Sequence, residues 1–417
     1  MRIWSAIDSF AGNFTDGKLI IKRPCPLCGS WSAKTIFELN DFQFYTDSRH
    51  EPKRVSVTQK QCAKCLTIYM SPVYTPYGFQ ILFKESGASY GAPQWKYENR
   101  VAWLRRHIDF SCQDIVMDLG CHLGKLLSML PNDLRKIGVE VDRKIVARAR
   151  VVHPEITFLC DDLLSFEFDE KANVITLFHV LEHLVDPVAV LRKLRGLADE
   201  KTILAIEVPV LENGNQVDIN GYFSVYHLTH FSIASLQRYL EVSGWQVVLL
   251  EPGSVQEGCR ILAVSSQSGD REKMIQFASH QDEPLLYRYL SCYYRNLAKL
   301  YHKIEKIERS ECIVIWGGGI HTEMLYHLTS LFRKRTNLKY LIVDSDQEKW
   351  NCTWRGIKIS SPESLMDIDW GECFLIISSY GSQESIAASA LLLGVPSSRL
   401  FKLYDDVMMS VSCTDCD

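Results

Sequence analysis

The chain is short of several things, and each shortage excludes a class of protein. No apolar run among its 417 residues reaches the roughly 20 residues that a bilayer-spanning helix needs. Its start, Met1-Arg2-Ile3-Trp4-Ser5-Ala6-Ile7-Asp8, has neither the apolar core nor the small-residue cleavage site of a secretory leader. It has no surplus of positive charge: 46 Lys and Arg against 50 Asp and Glu give a formal charge of -4 and no reason to expect nucleic acid as the main partner. It has no low-complexity segment and no obvious internal repeat. The expectation is a cytoplasmic protein with neither membrane nor nucleic acid as partner. Apolar residues, at 47%, are plentiful enough for several packed cores, and the length suggests two or three domains. Cysteine is plentiful too. In a reducing compartment the 14 cysteines should stay reduced, so close pairs read as metal ligands before disulfides.

Two such pairs stand near the start, Cys25-Pro26-Leu27-Cys28 and Cys62-Ala63-Lys64-Cys65. Each C-x-x-C turn can present two thiolates, and two turns complete a tetrahedron, so the four suit a structural zinc ion. The spacer is longer than usual, which a β-hairpin between the turns would explain. A redox pair would more often be single and open a helix. Aromatic residues of 76–112, among them Tyr77, Phe79, Tyr90, Trp95, Tyr97 and Trp103, read as helical packing.

From Asp114 strands and helices alternate, which predicts a doubly wound parallel α/β sheet. Its first turn is Asp118-Leu119-Gly120-Cys121-His122-Leu123-Gly124, after the strand Ile115-Val116-Met117. Glu140 ends the next strand, where a carboxylate can accept hydrogen bonds from both hydroxyls of a ribose. The pattern D-x-G-x-x-x-G is not the G-x-G-x-x-G of a pyrophosphate cradle. A nucleoside ligand without phosphate fits better, and S-adenosylmethionine is one. Asp161 or Asp162, after the third strand, can take an adenine amino group or merely cap the next helix.

Asp118-x-Gly120-x-x-x-Gly124, Glu140 and Phe178-His179-Val180-Leu181-Glu182-His183-Leu184-Val185-Asp186-Pro187 resemble class I S-adenosylmethionine-dependent methyltransferases. The order of a four-cysteine module, a central domain of this kind and a C-terminal nucleotide-fold domain is similar to that of the sugar C-methyltransferases of deoxysugar pathways. That resemblance implies a nucleotide-linked keto-sugar as partner and a base that forms an enolate. It places the base at His227 in Ser224-Val225-Tyr226-His227-Leu228-Thr229-His230-Phe231-Ser232, and another active-site imidazole at His183. Tyr226 stands where that family carries Glu, and Ser224 where it carries Tyr. Transfer to oxygen or nitrogen of a glycan precursor or other small metabolite is therefore the alternative, and a non-catalytic nucleoside-binding scaffold is another. His179 reads as a pocket wall or a cap beside the cofactor. A second metal site among His179, His183, His227 and His230 is not expected, for want of a nearby acid or cysteine set.

The expected domains are a zinc module over 1–75, a methyltransferase domain over 76–265, a helical linker over 266–310 and a Rossmann-like domain over 311–417. In the last, Gly317-Gly318-Gly319-Ile320-His321-Thr322 with Asp344 resembles a dinucleotide turn. It reads equally as a fold remnant or, with Ser378-Ser379-Tyr380-Gly381-Ser382, as a hold on the nucleotide part of a substrate; bound NAD is a weaker option. The tail Cys413-Thr414-Asp415-Cys416 is expected to be disordered.

Overall fold

A computed structural model describes residues 20–44, 53–83, 92–224, 226–254, 257–265, 282–307, 311–332 and 338–404. The Cys413–Cys416 tail and Tyr90 lie outside them. Residues 33–70 build most of a four-stranded sheet. Ala33–Phe44 and Lys53–Cys62 form the antiparallel hairpin between the two C-x-x-C turns, and Ile68–Met70 pairs beside it. The fourth strand, Thr229–His230, comes from much later in the chain and adds to the edge at Ile68–Tyr69.

The central sheet has seven strands: β1 Ile115–Leu119, β2 Arg135–Glu140, β3 Thr157–Cys160, β4 Val174–Phe178, β5 Ile203–Val208, β6 Trp245–Glu251 and β7 Cys259–Ser265. They lie in the order β6-β7-β5-β4-β1-β2-β3. β1 to β5 are mutually parallel, and β7 runs antiparallel to both β5 and β6. Every residue of β1 and β4 is buried, as expected for parallel strands covered on both faces. The strand order reverses between β1 and β4, and ligands of such sheets bind beyond the carboxyl ends at that point.

Local chemistry fixes the helices between. Asp142 caps Arg143–Val152 by accepting from the Lys144 and Ile145 amides, and that helix buries Ile145, Val146 and Ala149. Asp186 caps Pro187–Gly196, with Pro187 in the first turn, where its missing N–H is no loss. The helix after the Gly124 turn is short, Lys125–Ser128. The amides of Met129 and Leu130 turn to carbonyls three residues back, and Pro131 then bars the helical conformation at Leu130.

The C-terminal sheet has six strands, in the order Thr353–Trp354, Ile357–Ser360, Lys339–Val343, Cys312–Trp316, Cys373–Ile377 and Leu400–Lys402; all its pairs are parallel except the first. The helix Asp282–Glu305 lays Tyr289 and Tyr293 on the loop after β5. The Tyr289 hydroxyl accepts from the Tyr222 amide at 2.6 Å, and the Tyr293 hydroxyl donates to the Ile219 carbonyl at 2.6 Å. Arg355 joins the C-terminal sheet to the first hairpin, bonding both Glu323 and Asp41. No described helix is long and apolar enough to cross a membrane. Among the described residues the cysteines are free thiols apart from Cys292, which is disulfide-bonded, so the expectation of a wholly reduced set is corrected there.

Candidate active site and metal centre

The turn after β1 is stitched to β2. Gly120 and Cys121 donate to the Val139 carbonyl at 2.8 and 3.2 Å, and the His122 amide donates to Glu140 Oε2 at 3.0 Å. Glu140 Oε1 takes the amides of Val141 and Asp142 at 2.9 and 3.1 Å. The half-buried carboxylate is thus fixed at the strand's end with lone pairs to spare. Gly120 and Gly124 both adopt left-handed backbone, with φ of 67° and 76°. A side chain on Gly120 would strike Val180, and one on Gly124 would strike Phe158, each at 2.6 Å. The glycines therefore let the turn pack against its own protein neighbours as much as against any ligand.

Asp118 lies beneath this turn. Thr176 Oγ1 donates to its Oδ1 at 2.6 Å, and burial pushes its pKa up to about 7. Asp161 and Asp162 are exposed just past β3 and bond locally: Asp161 takes the Asp162 amide and the Ser165 hydroxyl, and Asp162 takes the Leu164 amide.

The segment after β4 packs against the Gly120 turn through Val180. It carries His179, which has a left-handed φ of 56°, then Glu182 and His183. The His227 loop is pinned to it. Leu228 donates its amide to the Glu182 carbonyl at 2.8 Å, and His183 Nδ1 meets the Tyr226 carbonyl at 2.9 Å. The rings of His183 and His227 stand 5.0 Å apart, edge to face. Arg23 braces the same junction from the N-terminal module, its guanidinium donating to the carbonyls of Val185 and Leu228.

The structure therefore brings His179, His183 and His227 together around a residue not singled out from sequence, Glu182, whose side chain is 1% exposed. His230 lies in the buried layer behind, against Tyr222 and Phe223, and burial holds its pKa well below the usual imidazole range. Burial, and next the neighbouring His183, also lower the pKa of His227, so it is a neutral imidazole at pH 7. Burial alone would lower His179 as well, but the carboxylates of Glu182 and Glu207 outweigh it and the shift is upward.

Glu207, at the end of β5, is a second missed carboxylate. Arg100 donates to its Oε1 at 2.7 Å and Arg260 to its Oε2 at 2.7 Å, while His179 Nε2 lies 3.0 Å from Oε1. For Glu207 the signal was present, an acid interrupting the apolar strand Ile203–Val208.

The four N-terminal cysteines also converge. Cys25 and Cys65 sulfurs lie 3.4 Å apart and those of Cys28 and Cys62 3.6 Å apart, with all four within 4.8 Å. A tetrahedral zinc ion with ~2.3 Å bonds has sulfur–sulfur edges of about 3.8 Å, so the group could hold one. The residue after each second cysteine, Gly29 and Leu66, turns left-handed at φ 72° and 61°. That closes two like turns around one centre.

Residues 95–250 match a family model described as a methyltransferase domain. By this match the segment is a methyltransferase domain. A protein of Invertebrate iridescent virus 6, named as a methyltransferase, is 22% identical to this chain over 167 residues, 39% of this chain and 63% of the viral one. The chain thus spans less than two thirds of that curated relative. Among solved structures, an amino pentose methyltransferase of Micromonospora echinaspora with bound S-adenosylmethionine is similar at a TM-score of 0.35 and 15% identity, over 43% of this chain and 94% of that one. A methyltransferase of Streptomyces caelestis is similar at 0.36 and 12%, over 43% and 94%. Likenesses this distant say nothing of the methyltransferase domain's substrate.

Proposed function

We propose that the chain is a methyltransferase that moves the methyl group of S-adenosylmethionine to the carbon beside the ketone of a nucleotide-linked keto-sugar, working in the cytoplasm. Glu140 takes the ribose hydroxyls of the donor, and the turn from Asp118 to Gly124 lies against it. Asp161 or Asp162 meets the adenine, and His179 walls the crevice. The observation that carries the reading is the meeting of His183 and His227, rings 5.0 Å apart, on a segment packed against the Gly120 turn. A methyl on sulfonium is displaced in line, so donor and acceptor must share one small space, and the acceptor must lose a proton there. The acceptor sits against His183 and His227, where that proton is removed.

The remaining parts have supporting roles. Four cysteines hold a structural zinc ion over 1–75. The stretch 266–310, whose described part carries the helix Asp282–Glu305 while 266–281 and 308–310 lie outside the described residues, links the methyltransferase domain, 76–265, to the Rossmann-like domain, 311–417. The last helps hold the substrate's nucleotide through Gly317–Gly319 and Ser378–Ser382. Its Asp344 already takes the Gly318 amide at 2.8 Å and Lys349 Nζ at 3.0 Å. A lysine at the mouth of this turn suits phosphate better than a free ribose acid would.

One observation favours a second reading, transfer to oxygen. Ser224, where the resembled family has Tyr, accepts the Tyr226 amide on its hydroxyl oxygen at 3.2 Å and is too short to stand in for a phenol, and Tyr226 replaces the family's Glu. Oxygen transfer needs no enolate stabiliser. The test is incubation with labelled S-adenosylmethionine and nucleotide-linked keto-sugars in deuterated water. A new carbon–methyl bond in the product, with deuterium washed into the carbon beside the ketone of recovered sugar, supports carbon transfer; a methyl ether in the product assigns oxygen. If the donor gives no thermal shift, the domain is a scaffold and the reading falls, because a ligand at a hundred times its Kd stabilises by about 2.7 kcal/mol.

A further inference from the structure

A buried carboxylate facing two imidazole rings is a donor set that suits a metal ion. Glu182, His183 and His227 each offer a ligand atom, and these atoms lie within 4.8 Å of one another. The Glu182 side chain is 1% exposed; no well-aligned hydrogen bond reaches its oxygens, and the imidazole of His179, 3.2 Å from Oε1, is its nearest counter-charge. His183 Nδ1 donates to the Tyr226 carbonyl, so its other nitrogen presents a lone pair, and that nitrogen lies 3.8 Å from Glu182 Oε1. His227 Nδ1 is sealed from solvent and also without a partner. One ion at their centre would satisfy the carboxylate oxygens and the ring nitrogens together.

We propose that Glu182, His183 and His227 hold a divalent transition-metal ion that grips two adjacent oxygens of the acceptor. The acceptor half of this inference rests on the methyl-transfer reading; the ion site does not.

The surroundings are those of a built site. Metal-bound imidazoles are commonly oriented by a carbonyl on the far nitrogen, as His183 is by Tyr226. The Glu182 backbone is tied to the His227 loop through the Leu228 amide. His179 reaches Glu182 Oε1 at 3.2 Å with one ring nitrogen and Glu207 at 3.0 Å with the other, so a chain of contacts runs from Arg100 and Arg260 to the ligand carboxylate. Two imidazoles and one carboxylate suit zinc, iron or manganese, and three protein ligands leave positions open to a substrate. His183 and His227 are only half-buried, which leaves them room to close in to bonding distance. The expectation of no second metal site rested on the want of a nearby acid, and Glu182 is such an acid.

The ion changes how the acceptor proton leaves. With both imidazoles bound to metal, neither is the base. A hydroxide on the ion takes the proton from carbon and departs as water. The C–H electron pair moves into the enolate, whose oxygen the ion holds. The enolate carbon then attacks the sulfonium methyl, and the breaking C–S bond leaves its pair on the thioether. A sugar with a ketone beside a hydroxyl is the acceptor that can chelate in this way.

The full chain, dialysed against micromolar zinc and cleared of loose metal, tests the site by mass-spectrometric metal counting. The expected count is two ions per chain, one at the four cysteines and one here. Glu182→Gln, His183→Ala and His227→Ala should each lose one ion, while Glu182→Gln still binds S-adenosylmethionine in calorimetry, which shows that its fold is intact. A count that none of the three substitutions lowers overturns the site. A chain that keeps the substitution-sensitive ion but never binds S-adenosylmethionine preserves the site and removes the methyl-transfer reading.

Discussion

Replacing Glu207 by Gln is the sharpest perturbation of the architecture beneath the site. Its side chain is 1% exposed and faces Arg100 and Arg260, whose side chains are 6% and 10% exposed. The pair with Arg260 is built into the sheet register, since the two residues sit opposite one another on β5 and β7. Arg100 arrives from the helix Gln94–His107. Neutralising Glu207 leaves the buried Arg100 guanidinium without its anion and Arg260 with Glu257 alone, 3.3 Å away. Breaking one buried ion pair costs about 3–5 kcal/mol, largely from the charge left behind. An amide keeps one acceptor oxygen, so the low end, about 3 kcal/mol, is expected. Because the chain has several domains, global unfolding is a poor gauge. Native-state hydrogen exchange of peptides covering β5 and β7 reads local opening directly. Exchange there should quicken by about a hundredfold or more, since every 1.4 kcal/mol is a factor of ten, while peptides of the C-terminal sheet stay unchanged. A change below about threefold would refute the claim that this carboxylate holds the sheet and the helix Gln94–His107 together. Arg100→Met combined with Arg260→Met and Glu207→Leu should recover most of the loss, because the cost lies in unpaired charge.

Other outcomes rest on single contacts. Glu140→Ala should weaken S-adenosylmethionine binding by at least about tenfold in calorimetry, the worth of a charge-assisted hydrogen bond; unchanged affinity removes the ribose assignment. Asp118 titrates at about 7 when folded, against an ordinary 3.8. The folded state thus holds a proton that the unfolded chain has lost, and stability should fall by about 1.4 kcal/mol per unit as pH rises between those values. Asp118→Asn should flatten that slope in urea titrations at several pH values, and an identical slope would refute the burial argument. Cys62→Ser should lower zinc content by one ion and speed exchange across the Ala33–Cys62 hairpin; unaltered zinc content would show that the cysteines do not bind it. His227→Ala should slow methyl transfer at least about a hundredfold, and a near-normal rate would take the acceptor away from that loop.

Much of the central sheet was legible because parallel strands buried on both faces must be apolar runs, and Val116, Ile175 and Ala205 lie in just such runs. The helix Arg143–Val152 was legible from the spacing of Ile145, Val146 and Ala149. The early stop after Ser128 was harder, because it depends on the tightening at Met129 and Leu130 as well as on Pro131. The four cysteines were readable from spacing alone, since metal geometry dictates C-x-x-C. Glu182 was not, because its importance comes from the His227 loop folding back some forty residues later. No local period records that contact. Asp118 read as a ligand contact from its motif, while its burial under Thr176 depends on the register of β4 beside β1.

The two residues Thr229 and His230 lend an edge to a sheet whose other strands all come from before residue 71. The acceptor loop is therefore suspended between two scaffolds, like a cable anchored on both banks. Deleting the first seventy-five residues would not trim an accessory; it would cut one anchorage and let His227 drift while the donor crevice stays formed. A shortened protein of that kind should still recognise its donor and have lost its aim.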